Sequence, residues 1–257
     1  MKQILIPALA LLMLITGCAT APKNTLMQVS TIDALLAGVY DGQMTTGELL
    51  THGNFGIGTF DALDGEMIVL DGTVYQALAD GTVHVMPTDT TTPFAAVVNF
   101  DADQVADIDS YGEMNYSSFQ TVVDEMEPNQ NLFIAIRFDD VFPTMKVRSV
   151  PGQKKPYPPL ADVVKYQAVF EYTNVTGTVL GFRCPAFVKG INVPSYHLHF
   201  ISKDRKIGGH VLDFTAIGGT LQLDTCSRFY MVLTDREEFA VADLSQDRSH
   251  ELEKVEK

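Results

Sequence analysis

Basic side chains are scarce in this sequence: lysine and arginine together number 18 against 32 acidic residues, a formal net charge of −14. Nucleic-acid binders need a basic stripe to displace counterions from phosphate, so that class is excluded. Charged residues are also a modest share, 19% against 46% hydrophobic, which argues against a disordered chain and for a sizeable core. No glycine-rich phosphate cradle, internal repeat or low-complexity tract is present. Long apolar runs are limited to one, at the N-terminus, too few for a multi-span membrane protein. A length of 257 residues suits one large domain or two small ones.

The single apolar run, MKQILIPALALLMLITGC, begins with Lys2 and ends in small residues and a cysteine, which reads as an export signal over 1–17. Its last four residues, Ile15-Thr16-Gly17-Cys18, resemble the bacterial lipobox, in which the cysteine becomes the lipid-bearing first residue. The expectation is an exported lipoprotein tethered through Cys18. An uncleaved anchor or plain secretion is the alternative. Cysteine is otherwise limited to Cys184 and Cys226. In an exported protein these are a disulfide or two buried thiols, and the sequence favours thiols because nothing in it brings their Cα atoms together.

Residues 18–30 read as a polar tether, and Ser30 caps an amphipathic helix over 31–40 with Ile32, Leu35, Leu36 and Val39 on one stripe. Residues 65–87 are a β-meander, because Asp71-Gly72 and Asp80-Gly81 separate apolar runs and tolerate the positive φ of tight hairpins. A helix is expected over 117–126 and a buried strand over 132–138. The stretch SVPGQKKPYPPL, 149–160, contains four prolines and is a boundary or crossing loop. Beyond it the chain is nearly all β, with strands near 165–172, 177–183, 195–202, 210–215, 219–224 and 228–233.

Within this β region lies Tyr196-His197-Leu198-His199-Phe200, followed by Gly209-His210. Alternation along a strand puts His197 and His199 on one face. If the intervening turn has Asp204-Arg205 at its tip, His199 and His210 become cross-strand partners. Three imidazoles then converge, as in catalytic zinc sites with an open position. Read without that convergence, they are exposed strand residues with no metal.

These blocks, with GNFGIGTFDALDGEMIVLDG (53–72), Arg148 and KKPYPPL (154–160), and GFRCPAFVKGINVPSYHLHFISKDRKIGGHVLDF (181–214), make the chain resemble the α-acetolactate decarboxylases over nearly all of its length after the signal. The resemblance implies an α/β protein of α+β type: an N-terminal mixed-sheet domain with helices over 31–148, and a β-barrel-like zinc-binding domain over 149–257 whose tail returns to the active site. It further implies a homodimer, a zinc cofactor as electron sink, and decarboxylation of 2-acetolactate, a 2-hydroxy-3-keto acid, to acetoin. Carried over by position, the zinc ligands are His197, His199 and His210; Glu66 and Arg148 are catalytic; Thr59 and Leu63 line the substrate pocket. A tail glutamate is also implied, best matched by Glu256, with Glu253 as fallback. Read without the resemblance, Glu66 is a solvated carboxylate opening a strand, Arg148 a surface ion pair, and the tail a frayed end. Two other functions compete: another three-histidine metalloenzyme, such as a cupin-like dioxygenase or a zinc hydrolase, and a non-catalytic lipoprotein on the same fold.

Overall fold

The structure is a computed structural model that describes residues 23–256. The expected signal peptide and Cys18 lie outside the described residues. Among those residues no helix is long and apolar enough to cross a membrane. Two seven-stranded sheets dominate. The first runs in the order Arg228–Val232, Thr25–Val29, Ala95–Val98, Phe55–Thr59, Glu66–Leu70, Thr73–Ala77, Val83–Val85. The expected meander is its last three strands, and its first hairpin turns on Asp71 and Gly72 at φ 52° and 77°. Residues 25–29, expected to belong to the tether, instead form an interior strand, parallel to Arg228–Val232 and antiparallel to Ala95–Val98.

The second sheet runs Met114–Asn115, Gly208–Ala216, Ser195–Ser202, Ala168–Cys184, Phe133–Ser149, Thr220–Cys226, Gln104–Asp107. The expected barrel does not form. The strand order ends in two separate edges, Met114–Asn115 and Gln104–Asp107, and closure would require those edges to pair. An additional pairing curls the sheet without closing it: the 17-residue strand Phe133–Ser149 holds Thr220–Cys226 along 133–139 and Gly208–Ala216 along 144–148, with a register shift at Lys146/Val147. The two strands expected near 165–172 and 177–183 are one continuous strand, Ala168–Cys184.

The sheets also exchange strands across residue 148, since Arg228–Val232 joins the first sheet and Gln104–Asp107 joins the second. Cys184 and Cys226 are free, buried thiols. They flank the strand of Phe133 on opposite sides, about two strand spacings apart, roughly 9–10 Å, beyond disulfide reach.

The sheets pack face to face. Ile57, Ile68 and Leu70 of the first meet Ala135, Leu180, Phe182 and Ile201 of the second in one buried cluster. The outer face of the second sheet is covered by the helix Tyr116–Met126, which starts in an Asn115–Ser118 capping box and buries Phe119, Val122 and Val123. On the outer face of the first sheet Met67 and Val69 pack with Met27, Val29 and Val97. The strand Glu66–Leu70 is thus buried on both faces, and Glu66 shares the inward parity of Ile68 and Leu70.

A third apolar cluster joins three short helices, Ile32–Leu36, Leu160–Val163 and Ser249–Val255, at one rim of the two sheets. The first of these is capped by Thr31, not Ser30, and stops well before residue 40 because Gly38 takes φ 91°.

Candidate active site

The histidines reach the inter-sheet space by strand alternation. Leu198 and Phe200 enter the core under the helix Tyr116–Met126, so His197, His199 and Ile201 face the first sheet. His199 pairs directly with His210 across the hairpin, and His210 in turn lies opposite Arg148 on the long strand. The imidazole centroids are 5.0–5.5 Å apart, and one nitrogen from each ring lies within 4.8 Å of the others.

His199 Nδ1 donates to the Met67 carbonyl at 2.9 Å, because a carbonyl only accepts; this fixes the tautomer and leaves a lone pair on Nε2. That Nε2 is buried without a hydrogen-bond partner, as is His210 Nδ1. Burial, reinforced by the Arg148 charge, lowers His197 to about 3 and holds His210 well below the usual imidazole range. His199 is also held well below it, by burial and then by its neighbour His197. Three neutral imidazoles, two of them with a buried, unpartnered nitrogen, are a donor set that suits a borderline-soft divalent cation, so these residues can hold a metal.

Two carboxyls stand beside them. Glu66 Oε2 is 3.6 Å from His199 Nε2, while its Oε1 accepts from Arg148 Nη1 at 2.8 Å. Glu256 Oε2 is 3.8 Å from His210 Nε2. Burial raises Glu66 to about 7 against the opposing pull of Arg148, and Glu256 adds to the rise. Glu256 is likewise raised by burial to about 7. Both therefore sit where a carboxyl can give and take a proton near neutrality.

Arg148 is buried, and its Nη2 donates to the Val255 carbonyl at 3.1 Å, tying the tail to the site. Thr59 pairs with Glu66 and gives its hydroxyl to the Gly65 carbonyl, closing a turn in which Ala62 and Leu63 take φ 59° and 58°. The turn delivers Leu63 to a cavity of about 40 Å³ that also meets Thr59, Glu66, Arg148, His197 and Glu256. Left-handed backbone at two adjacent non-glycine residues is unusual, and it concentrates strain at the site.

A family model described as alpha-acetolactate decarboxylase matches residues 26–246. The chain belongs to that family. The alpha-acetolactate decarboxylase of Methanosarcina mazei is 48% identical over 244 residues, 95% of this chain and 84% of the other. That of Methylococcus capsulatus is 44% identical, covering 91% and 89%. A crystal structure of the alpha-acetolactate decarboxylase from Bacillus subtilis superposes with TM-score 0.88 at 38% identity, covering 90% of this chain and 99% of that one. The protein is accordingly an enzyme, a carboxy-lyase acting on acetolactate.

Every residue that the sequence nominated within the described range for this decarboxylase meets the same inter-sheet space or its rim, except the fallback Glu253, which lines only a neighbouring groove that Glu256 also meets. What sequence reading missed is backbone and wall: the Met67 and Val255 carbonyls, and the apolar cluster facing the polar groups. Carbonyls leave no side-chain trace. The Leu252/Val255 spacing, by contrast, marks the inward face of the tail helix, and both residues are buried.

Proposed function

We propose that this decarboxylase converts 2-acetolactate to acetoin and carbon dioxide with a zinc ion held by His197, His199 and His210. The observation that supports this most is the meeting of three neutral imidazoles, two carboxyls raised to about 7 and a buried guanidinium between the two sheets. Bound zinc supplies Lewis acidity toward the adjacent ketone and hydroxyl oxygens of the substrate.

The rest of the chemistry belongs to the chain. Arg148 holds Glu66 and the Val255 carbonyl through its two terminal nitrogens, while its buried Nε has no hydrogen-bond partner and retains a donor for the substrate carboxylate. Loss of carbon dioxide leaves an electron pair conjugated with the neighbouring oxygen, and one carbon must then take a proton from one side. Glu66 delivers that proton, and Glu256, on the His210 side, assists. The apolar walls keep bulk water from competing for it.

The test is acetoin formation from 2-acetolactate by protein lacking residues 1–18, before and after chelation. Acetoin forms without oxygen uptake, is lost on metal removal and returns with zinc. Formation that persists in metal-free protein contradicts the proposal. His199→Ala loses the metal itself, measured by metal analysis, and with it turnover.

Export, lipid attachment at Cys18 and assembly as a homodimer belong to the same proposal. Export and lipid attachment are supported by the Ile15-Thr16-Gly17-Cys18 pattern, and the dimer by family resemblance. Mass spectrometry of the N-terminal peptide and the solution mass of the soluble form check them.

A further inference from the structure

The substrate proposed above has two chemically distinct halves: three oxygen-bearing groups, and two alkyl substituents that no polar group can recognise. The cavity is divided in the same way. Its polar lining includes His197, Glu66, Arg148 and Glu256, whereas Ile32, Leu35, Leu63, Phe94, Val150 and Leu160 line it from one buried apolar cluster. An unpaired polar group against that wall is disfavoured, so the alkyl groups face it.

Most wall residues are coupled to the polar machinery. Leu63 lies in the turn that leads into Glu66, Val150 follows Arg148 by two residues, and the Phe94 carbonyl accepts from Thr59 N. Leu35 and Leu160 stand on the short helices Ile32–Leu36 and Leu160–Val163, which touch each other and carry no histidine, arginine or glutamate of the site; the second also packs against the tail helix Ser249–Val255. We infer that Leu35 and Leu160 are the residues that set the size of the alkyl substituent this enzyme accepts at the carbon bearing the hydroxyl. This inference rests on the proposed reaction. A methylene in an apolar pocket changes selectivity by roughly 10–200-fold, so a wall fitted to methyl discriminates measurably against ethyl.

The experiment compares kcat/KM for 2-acetolactate and for its 2-ethyl homologue, 2-aceto-2-hydroxybutyrate, in the parent, Leu35→Ala and Leu160→Ala. A ratio of two substrates cancels differences in folded fraction. The ethyl-to-methyl ratio rises about tenfold in each variant. A rise of threefold or more supports the inference, and anything less overturns it. If an alanine variant fails to fold, Leu35→Val and Leu160→Val are judged by the same threshold. Leu49→Ala, a truncation in the core beyond the first sheet, serves as the control; an equal rise there means general softening and overturns the inference as well. A parent inactive on both compounds sinks the reaction and the inference together, whereas an active parent with an unmoved ratio sinks the inference alone.

Discussion

Among the described residues two arginines are buried beside an acidic partner, and they produce opposite results. Arg183 donates to Asp124 at 2.7 Å and to the carbonyls of Glu127 and Asn129, clamping the end of the helix Tyr116–Met126. Burial works to raise Asp124, but hydrogen bonds from Tyr196, Gln130 and Arg183 outweigh it and hold the carboxyl below its ordinary range. Asp124 is a dependable anion at the protein surface. Arg148 makes a similar contact with Glu66, at 2.8 Å, yet that carboxyl is raised to about 7. The difference is water and the extra donors, Tyr196 and Gln130, that Asp124 has and Glu66 lacks. Asp124 keeps 42% of its side chain exposed, Glu66 only 8%, and Glu256 adds a second negative charge to the dry site. An arginine beside a half-exposed acid makes a clamp, while the same arginine beside a buried acid makes a carboxyl able to carry a proton.

Removing each arginine sharpens the contrast most. Arg148→Ala lowers kcat/KM by about a thousandfold or more, as expected when a positioned charge is lost from a dry site. Arg183→Ala leaves kcat/KM of the folded fraction within about twofold but destabilises the fold by about 1–3 kcal/mol, because the carbonyls of Glu127 and Asn129 lose their donor. Urea midpoints and steady-state kinetics on both proteins separate the effects. Equal kinetic losses in the two variants would break the comparison. Next in size, Asp124→Asn lowers the melting temperature by about 2–4 °C, for roughly 1 kcal/mol in a chain of this length, with turnover unchanged.

The comparison also explains what the sequence reveals. The His199–His210 register follows from counting about Asp204-Arg205, and the meander from its Asp-Gly turns, because both depend on local chemistry. Thr25–Val29 was hidden because one parallel partner, Arg228–Val232, lies some 200 residues away. The length of Phe133–Ser149 was hidden by Pro143, which argues against an interior strand. It is tolerated because it falls where the outer edge of the strand changes partner, between residues 139 and 144, so no ladder bond to that edge is lost. The barrel expectation failed at the same place, since one strand serving two partners curls the sheet without joining its edges. Chemical types at the site were legible from spacing and resemblance. Raised carboxyls at Glu66 and the tail glutamate were expected only as what the reaction requires, because desolvation depends on which strands cover Glu66.

Asp224 gives the smallest and most separable test of that desolvation argument. It is buried away from the histidines, accepts from Asp101 N at 3.0 Å, and is raised by burial to about 6. A folded-state pKa above the ordinary 3.8 means that the folded protein binds the proton more tightly. Its contribution to stability is therefore greatest below pH 3.8, falls as pH rises to about 6, and is level above. Asp224→Asn removes that slope, raising the melting temperature at pH 7 by about 2 °C relative to its effect at pH 4. A pH-independent effect would contradict the assigned cause.

The most direct test is turnover of metal-loaded Glu66→Gln against metal-loaded Asp124→Asn. The glutamine keeps the shape of Glu66 and an acceptor for Arg148 but holds no transferable proton. Full metal content with acetoin formation reduced about 100- to 10,000-fold in Glu66→Gln, and unchanged in Asp124→Asn, is the predicted result. Undiminished turnover in metal-loaded Glu66→Gln would contradict the account at its centre.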